Sequence, residues 1–222
     1  MTGCLSEIRM FTGIIKNQGK VLKKESKGGQ IHFAFGLKKP EKLNLGESIA
    51  INGVCLTAAK SGPKSFECDV MNETLNATTL GSIQLRDSVN LERSLKAGDE
   101  IGGHFVTGHV DGTGIIEKII NQGKNKMLWI KAGNEVIKSL AAKGSVAVDG
   151  ISLTVQAVEA KSFKVGIVPH TFKETNLKNI HEGQKVNLEI DLITRYLKVL
   201  NHELPVSGKS GMTVKYLKRQ GF

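Results

Sequence analysis

Cys55 is the side chain in this 222-residue chain best suited to attack an electrophilic carbon, and it lies in a short apolar run, Asn52-Gly53-Val54-Cys55-Leu56-Thr57. The same run returns as Asp149-Gly150-Ile151-Ser152-Leu153-Thr154, an offset of 97 residues from Cys55 to Ser152, with a hydroxyl in place of the thiol. A second pair differs in the same manner, because Thr12-Gly13-Ile14 becomes Thr107-Gly108-His109. A thiol can add to carbon, and an imidazole can carry a proton near neutral pH. Two copies that share a binding pattern but differ in these groups fit two similar ligands with different fates, one pocket holding the nucleophile and the other the proton carrier.

Taken singly, each residue has a plainer role. A cysteine in an apolar run is more often buried and inert than reactive. His104 and His109 have no third ligand nearby to make a zinc site. Ser152 lacks the strand-turn-helix context of a hydrolase nucleophile. Asp191, ahead of a helical segment, is by default an N-cap. It is the doubling that raises these residues above their neighbours.

The repeat runs well beyond the reactive positions. Phe66 aligns with Phe163, Thr74 with Thr171, Thr78 with Thr175 and Leu80 with Leu177, and Val89-Asn90-Leu91-Glu92 returns as Val186-Asn187-Leu188-Glu189. A period this long marks a duplicated domain rather than a solenoid. Within each copy, short β-branched runs are separated by glycine-rich turns. The spacing predicts strands at 48–54, 65–70, 88–91, 112–118, 127–131, 145–151, 162–168 and 185–190, an all-β class of two barrels or sandwiches. Two stretches have helical spacing instead, 135–143 and 192–204. The resulting division is an N-terminal extension 1–9, a first barrel 10–103, a second barrel 104–190, a helix 191–204 and a basic tail 205–222.

Bulk properties exclude several classes. A net charge of +10 invites nucleic acid, but the lysines are scattered and aromatics are 5% of the chain, too few for a base-stacking platform. No apolar run approaches the length of a membrane span, and the first nine residues lack a signal-peptide core. Three cysteines without zinc spacing point to a reducing, cytoplasmic setting.

The ordered set of motifs resembles riboflavin synthase of the α-chain type. It comprises Met10-Phe11-Thr12-Gly13-Ile14-Ile15, Asn52–Thr57, Met71-Asn72-Glu73-Thr74-Leu75, Asn90-Leu91-Glu92-Arg93, Asp99–His104 with Gly108-His109, Asp149–Thr154, and Asn187-Leu188-Glu189-Ile190-Asp191. The resemblance spans Met10 to about Leu200. It implies two tandem six-stranded Greek-key β-barrels, each binding one lumazine, followed by a C-terminal α-helix. It also implies dismutation of two 6,7-dimethyl-8-ribityllumazine molecules to riboflavin and 5-amino-6-(ribitylamino)uracil, without metal or organic cofactor. Family members are homotrimers joined through the C-terminal helix, with the active site between the first barrel of one subunit and the second of its neighbour; association with lumazine synthase is a further partner expectation. The non-catalytic alternative is a lumazine- or flavin-binding antenna protein of the same doubled design.

Carried over by motif, the catalytic set is Cys55, His109, Ser152, Thr154, Asp191 and Phe11, the last packing over a ring. Implied substrate contacts of the first barrel are Gly13, Ile14 and Ile15; Cys55, Leu56 and Thr57; and Asp69, Val70, Met71, Asn72, Glu73 and Thr74. Those of the second are Gly108, His109 and Val110; Ser152, Leu153 and Thr154; Gly166, Ile167, Val168, Pro169, His170 and Thr171; and Lys143. The family begins at the position of Met10, so residues 1–9 are a departure from its pattern.

Overall fold

Alternation of buried and outward residues builds both halves of the chain. The computed structural model describes residues 10–203; the extension 1–9, with Cys4, and the tail 205–222 lie outside the described residues. The first half contains β1 (Asn17–Lys27), β2 (Gln30–Leu37), β3 (Ser48–Ile51), β4 (Val54–Thr57), β5 (Lys60–Ser61), β6 (Ser65–Val70), helix α1 (Asn72–Ala77) and β7 (Ser88–Arg93). The second contains β8 (Gly112–Gln122), β9 (Asn125–Ala132), α2 (Asn134–Ile137), β10 (Ser145–Val148), β11 (Ile151–Val158), β12 (Ser162–Ile167), α3 (Pro169–Glu174) and β13 (Lys185–Ile190). Helix α4 (Leu192–Glu203) follows. From Ile193 onward the chain forms a separate unit, with apolar Ile193, Tyr196, Leu197 and Leu200 at helical spacing.

β8 to β13 close into a barrel in the order β10-β11-β12-β9-β8-β13. The first half has the order β4-β3-β7-β1-β2-β6-β5. There β4 and β5 are two pieces of the strand that runs unbroken as β11, so this sheet is open where its partner is closed. Each half has its own core. Phe33, Phe35 and Phe66 stack at ring-centroid separations of 5.5 and 5.4 Å in the first, and Leu128, Ile130, Phe163 and Leu188 fill the second.

Three elements differ from the sequence pattern. β1 is too rich in lysine to be marked by hydropathy, and β2 is not among the expected strands, yet Val21, Phe33 and Phe35 on their inner face are fully buried. The helix expected at 135–143 is a single turn, α2, which tightens into i→i−3 bonds from Ser139 to Val136 and from Leu140 to Ile137; Lys143, with a left-handed φ of 69°, then donates its N–H to the Val155 carbonyl at 2.7 Å. The stretches after β6 and β12 turn into α1 and α3 rather than remaining extended.

The two halves meet at the tips of matching hairpins. Asn52-Gly53 joins β3 to β4 with φ of 45° and 76°, and Asp149-Gly150 joins β10 to β11 with 45° and 75°. Both central residues thus have positive φ, as tight two-residue hairpins require. The tips stand back to back: a Cβ on Gly53 would lie 2.6 Å from the Gly150 nitrogen, and one on Gly150 would lie 2.7 Å from that of Gly53. Beside them Phe11 and Val106 exchange backbone hydrogen bonds of 2.7 and 3.0 Å and pack with Ala50 and Ala147.

A fully satisfied amide network seals one flank of this joint. Asn187 N–H donates to Asp149 Oδ1 and Asn176 Nδ2 to Asp149 Oδ2, each at 2.8 Å. In the matching place Asn90 N–H donates to Asn52 Oδ1 at 2.8 Å. Across the joint, Asn90 Nδ2 donates to the Asp149 carbonyl at 3.0 Å and Asn187 Nδ2 to the Asn52 carbonyl at 2.8 Å. A cavity of about 330 Å³ opens beside the network, but it reaches neither Cys55 nor Ser152, so we read it as the polar flank of the joint.

Burial pushes the Asp149 carboxyl up to about 6, against the pull of its hydrogen bonds from Asn187 and Asn176. The folded protein therefore binds this proton more tightly than the unfolded chain does. Its contribution to stability is complete below the unfolded value near 3.8 and is lost as pH rises through about 6. Denaturation midpoints of wild type and Asp149→Asn, compared between pH 4 and pH 7, should reveal it. The wild type should lose stability relative to the variant as pH rises across that window; parallel curves would contradict the assignment.

Candidate active site

Two buried glutamates aim the Thr-Gly segments. Glu92 accepts from Thr12 N–H and Oγ1, both at 2.7 Å, and from Gly13 N–H at 3.0 Å. Glu189 accepts the same three bonds at the same distances from Thr107 and Gly108. Burial raises the Glu92 carboxyl above the usual carboxylate range, and these bonds oppose the shift. Neither glutamate stands out as a reactive group in the sequence. The available signal was an acidic residue inside an apolar strand run, present in both copies.

The arms held this way cross over. Gly13 lies against Ser152 of the second half: its carbonyl accepts the Ser152 N–H at 2.9 Å, and a Cβ on Gly13 would stand 2.7 Å from the Ser152 Cβ. Gly108 lies against Cys55 of the first half, with the matching hydrogen bond at 3.0 Å and the matching Cβ distance at 2.5 Å. Ile15 joins the core of the second barrel, and Val110 joins that of the first. The sequence grouped each arm with its own barrel. The structure exchanges them: the Gly108-His109-Val110 arm runs against β4 beside Cys55, and the Gly13-Ile14-Ile15 arm runs against β11 beside Ser152.

The first-barrel site therefore combines Cys55 and Thr57 on the outward face of β4 with the Gly108-His109-Val110 arm and the stretch Asp69–Thr74. Cys55 is half-buried, and Thr57, Met71 and His109 are exposed. His109 Nδ1 lies 3.0 Å from Thr107 Oγ1. That hydroxyl spends its proton on Glu189, so it can only accept from the ring. Nδ1 then carries the hydrogen, and Nε2 presents the lone pair of a base. The other cysteine in this barrel, Cys68, is fully buried in the core, and burial pushes its thiol up to about 12; it is inert.

The second-barrel site holds Ser152 and Thr154 on β11, the arm Gly13-Ile14-Ile15, and the stretch Gly166–Thr171. Its histidine is one the sequence weighed only as a zinc ligand. His104 Nδ1 lies 2.7 Å from Ser152 Oγ, and its backbone N–H donates to the Thr12 carbonyl at 3.1 Å. Only a glycine at 103 permits this approach, since a Cβ there would meet the Thr12 oxygen at 2.1 Å. Burial lowers the His104 pKa, and the Asp191 carboxylate pulls it the other way; Nδ1 faces the Ser152 hydroxyl, and Nε2 is buried without a hydrogen-bond partner. Lys143 is tied to β11 one residue beyond Thr154.

Two more placements matter. Phe11 has no exposed surface and packs on Ala50, Val106, Ala147 and Cys55 at the joint, so it backs the thiol rather than lying over a ring. Ser48 pairs with Thr57 across β3 and β4 and has a buried hydroxyl without a protein partner, a feature sequence spacing could not reveal.

Comparison with known proteins agrees with this doubled arrangement. The lumazine binding domain model matches residues 12–94 and again 107–191. The chain is 40% identical over 215 residues to riboflavin synthase of Actinobacillus pleuropneumoniae, covering 96% of this chain and 100% of that protein. It is 36% identical over 215 residues to riboflavin synthase of Bacillus subtilis, with the same coverage. Among solved structures, LumP complexed with 6,7-dimethyl-8-(1'-D-ribityl) lumazine superposes with a TM-score of 0.73 at 20% identity, over 81% of this chain and 98% of that one. At that identity the likeness speaks for the fold alone.

Proposed function

The chain belongs to the riboflavin synthase family, and from that premise we propose how its two sites divide the reaction. It is an enzyme that dismutates two molecules of 6,7-dimethyl-8-ribityllumazine, moving a four-carbon unit from one to the other to yield riboflavin and 5-amino-6-(ribitylamino)uracil. The observation that carries the proposal is the exchange of arms, which gives the two pockets different chemical equipment.

In the first-barrel site the Cys55 thiol adds to the electrophilic C7 of one lumazine, and its proton passes to His109 Nε2. In the second-barrel site Ser152, backed by His104, takes a proton from the C7 methyl of the other. The resulting carbanion is delocalised over the heterocycle and attacks C6 of the thiol adduct; transfer of the four-carbon unit then expels the Cys55 thiolate, which recovers its proton from His109, and breaks the two C–N bonds that joined the unit to the pyrimidine, so no outside oxidant or reductant is needed. Thr57 and Thr154 present hydroxyls to the polar ring edges, while Met71 and Val168, both exposed, offer apolar contact. Holding two rings in register supplies up to about 7–11 kcal/mol of the barrier by orientation alone.

Assembly belongs to the same proposal. A homotrimer in which the first barrel of one subunit faces the second of its neighbour brings the two kinds of site together, and the apolar spacing of α4 supports a helix-mediated contact. A cytosolic location is supported by Cys55 and Cys68, neither of them in a disulfide. The test is to incubate the protein with 6,7-dimethyl-8-ribityllumazine, without added metal or nucleotide. Riboflavin and the pyrimidine should appear in equal amounts; tight binding without turnover would overturn the catalytic reading in favour of an antenna role.

A further inference from the structure

Outside the groups already assigned, one cluster differs between the two barrels and touches a proposed site. His32 on β2 is the cross-strand partner of Asp69 on β6. Its Nδ1 lies 2.7 Å from Asp69 Oδ1, and its Nε2 lies 3.0 Å from Glu67 Oε2. The histidine side chain is only 17% exposed, whereas that of Asp69 is half exposed. β6 alternates, with Phe66, Cys68 and Val70 inward and Glu67 and Asp69 outward. Cys55 and Thr57 face outward from β4 in the same way, between buried Val54 and Leu56, and β4 packs along β6. Asp69 therefore opens its carboxylate on the face that carries Cys55 and Thr57.

The second barrel has nothing equivalent. Its matching cross-strand pair is Met127 and Gly166, and the space a side chain at 166 would need is taken by Gln156, whose Nε2 would lie 2.3 Å from a Cβ there. One pocket is edged by a carboxylate held in place, and the other by a thioether and an amide.

We infer that His32 is a positioning residue for the first-barrel site: it holds Asp69 so that its carboxylate accepts hydrogen bonds from hydroxyls of the polyol side chain of the substrate bound there. The inference rests on the proposed lumazine site of the first barrel and goes beyond it in naming the group that orients one of its walls. A carboxylate only accepts and a polyol donates, so their chemistry is complementary. Both ring nitrogens of His32 face carboxylates, so the ring is gripped between Asp69 and Glu67 and fixes the first against the second. The charged groups around the ring are Glu67 and Asp69 on β6, Lys60 on β5 paired to Glu67 at 2.9 Å, and Glu25 on β1, register partner of His32 and paired to Lys23 at 2.9 Å.

The test uses the full chain and steady-state kinetics with 6,7-dimethyl-8-ribityllumazine. His32→Met introduces the residue that the second barrel tolerates at the matching position, and Asp69→Asn keeps the shape but not the charge. Each should raise KM about tenfold, the size of one charge-assisted hydrogen bond, with kcat within about twofold. The double variant should be no worse than Asp69→Asn alone, because His32 acts through Asp69. His32→Gln, which keeps one donor, should recover part of the loss. Unchanged KM in His32→Met, effects that add in the double variant, or a drop confined to kcat or to folded yield in all three His32 and Asp69 single variants would overturn the inference. A wild type that makes no riboflavin would overturn the site reading itself, and this inference with it.

Discussion

Replacing His109 by Gln is expected to lower kcat by about two to three orders of magnitude, the usual worth of a positioned general base, with KM changed little. The imidazole is oriented by a chain that starts at the buried Glu189, passes through Thr107 Oγ1 at 2.7 Å and reaches Nδ1 at 3.0 Å. That chain fixes the tautomer and leaves Nε2 as the base. A glutamine amide can still donate to Thr107, so the arm should keep its place while the basic nitrogen is lost. Cys55→Ser should fall by a similar factor, because a hydroxyl is a far weaker nucleophile than a thiol. The decisive measurement is the cycle between them. If thiol and imidazole share one site, the double variant should be scarcely slower than the worse single variant. Effects that multiply would mean that the two groups act on different lumazines, as their separate copies in the sequence suggest.

Gly53→Ala should cost about 3–5 kcal/mol of stability and abolish activity, a far larger penalty than alanine at most turn glycines carries. Two terms contribute. The residue has φ of 76°, where a side chain strains the backbone by about 1–2 kcal/mol. The new Cβ would also stand 2.6 Å from the Gly150 nitrogen and 2.9 Å from its Cα, and backbone atoms cannot swing aside as a side-chain end can. The hairpin tips would have to separate, taking Cys55 away from Gly108 and Ser152 away from Gly13. Gly29→Ala is the control, since Gly29 has φ of 80° but nothing within 4 Å of a Cβ; it should show the strain without the clash. Equal urea midpoints for the two variants would refute the back-to-back joint.

Much of the fold was legible because duplication and period-two burial are local signals. β6 and β13 fall at the expected residues, since apolar residues alternate in each, Phe66, Cys68 and Val70 in one and Val186, Leu188 and Ile190 in the other. β1 escaped notice because its outward face is crowded with lysine and glutamate; β2 carries neither, and its alternation of Ile31, Phe33, Phe35 and Leu37 is legible although it is not among the expected strands. The long helix at 135–143 gave way to a single turn that tightens into i→i−3 bonds at Ser139 and Leu140, so local helix propensity did not carry the segment to Lys143. At the site, Cys55, Ser152 and His109 were visible as departures from an otherwise repeated pattern. His104 was not, because its place has no described counterpart in the first copy and its partner Ser152 is far along the chain. Glu92 and Glu189 were concealed for the opposite reason: both copies keep them, so comparing the copies shows no difference.

By itself the sequence determined that two similar β domains bind two similar ligands, and that a thiol, a hydroxyl and histidines distinguish them. Only the tertiary structure decided which groups work together. An arm's destination is set by a buried glutamate and by a glycine that lets two backbones touch, contacts between residues some 50 to 140 positions apart that no local pattern encodes. Crossing the arms at the joint puts the Gly108-His109 arm against Cys55 and leaves Ser152 beside His104, so the groups that distinguish the copies are redistributed between the two barrels.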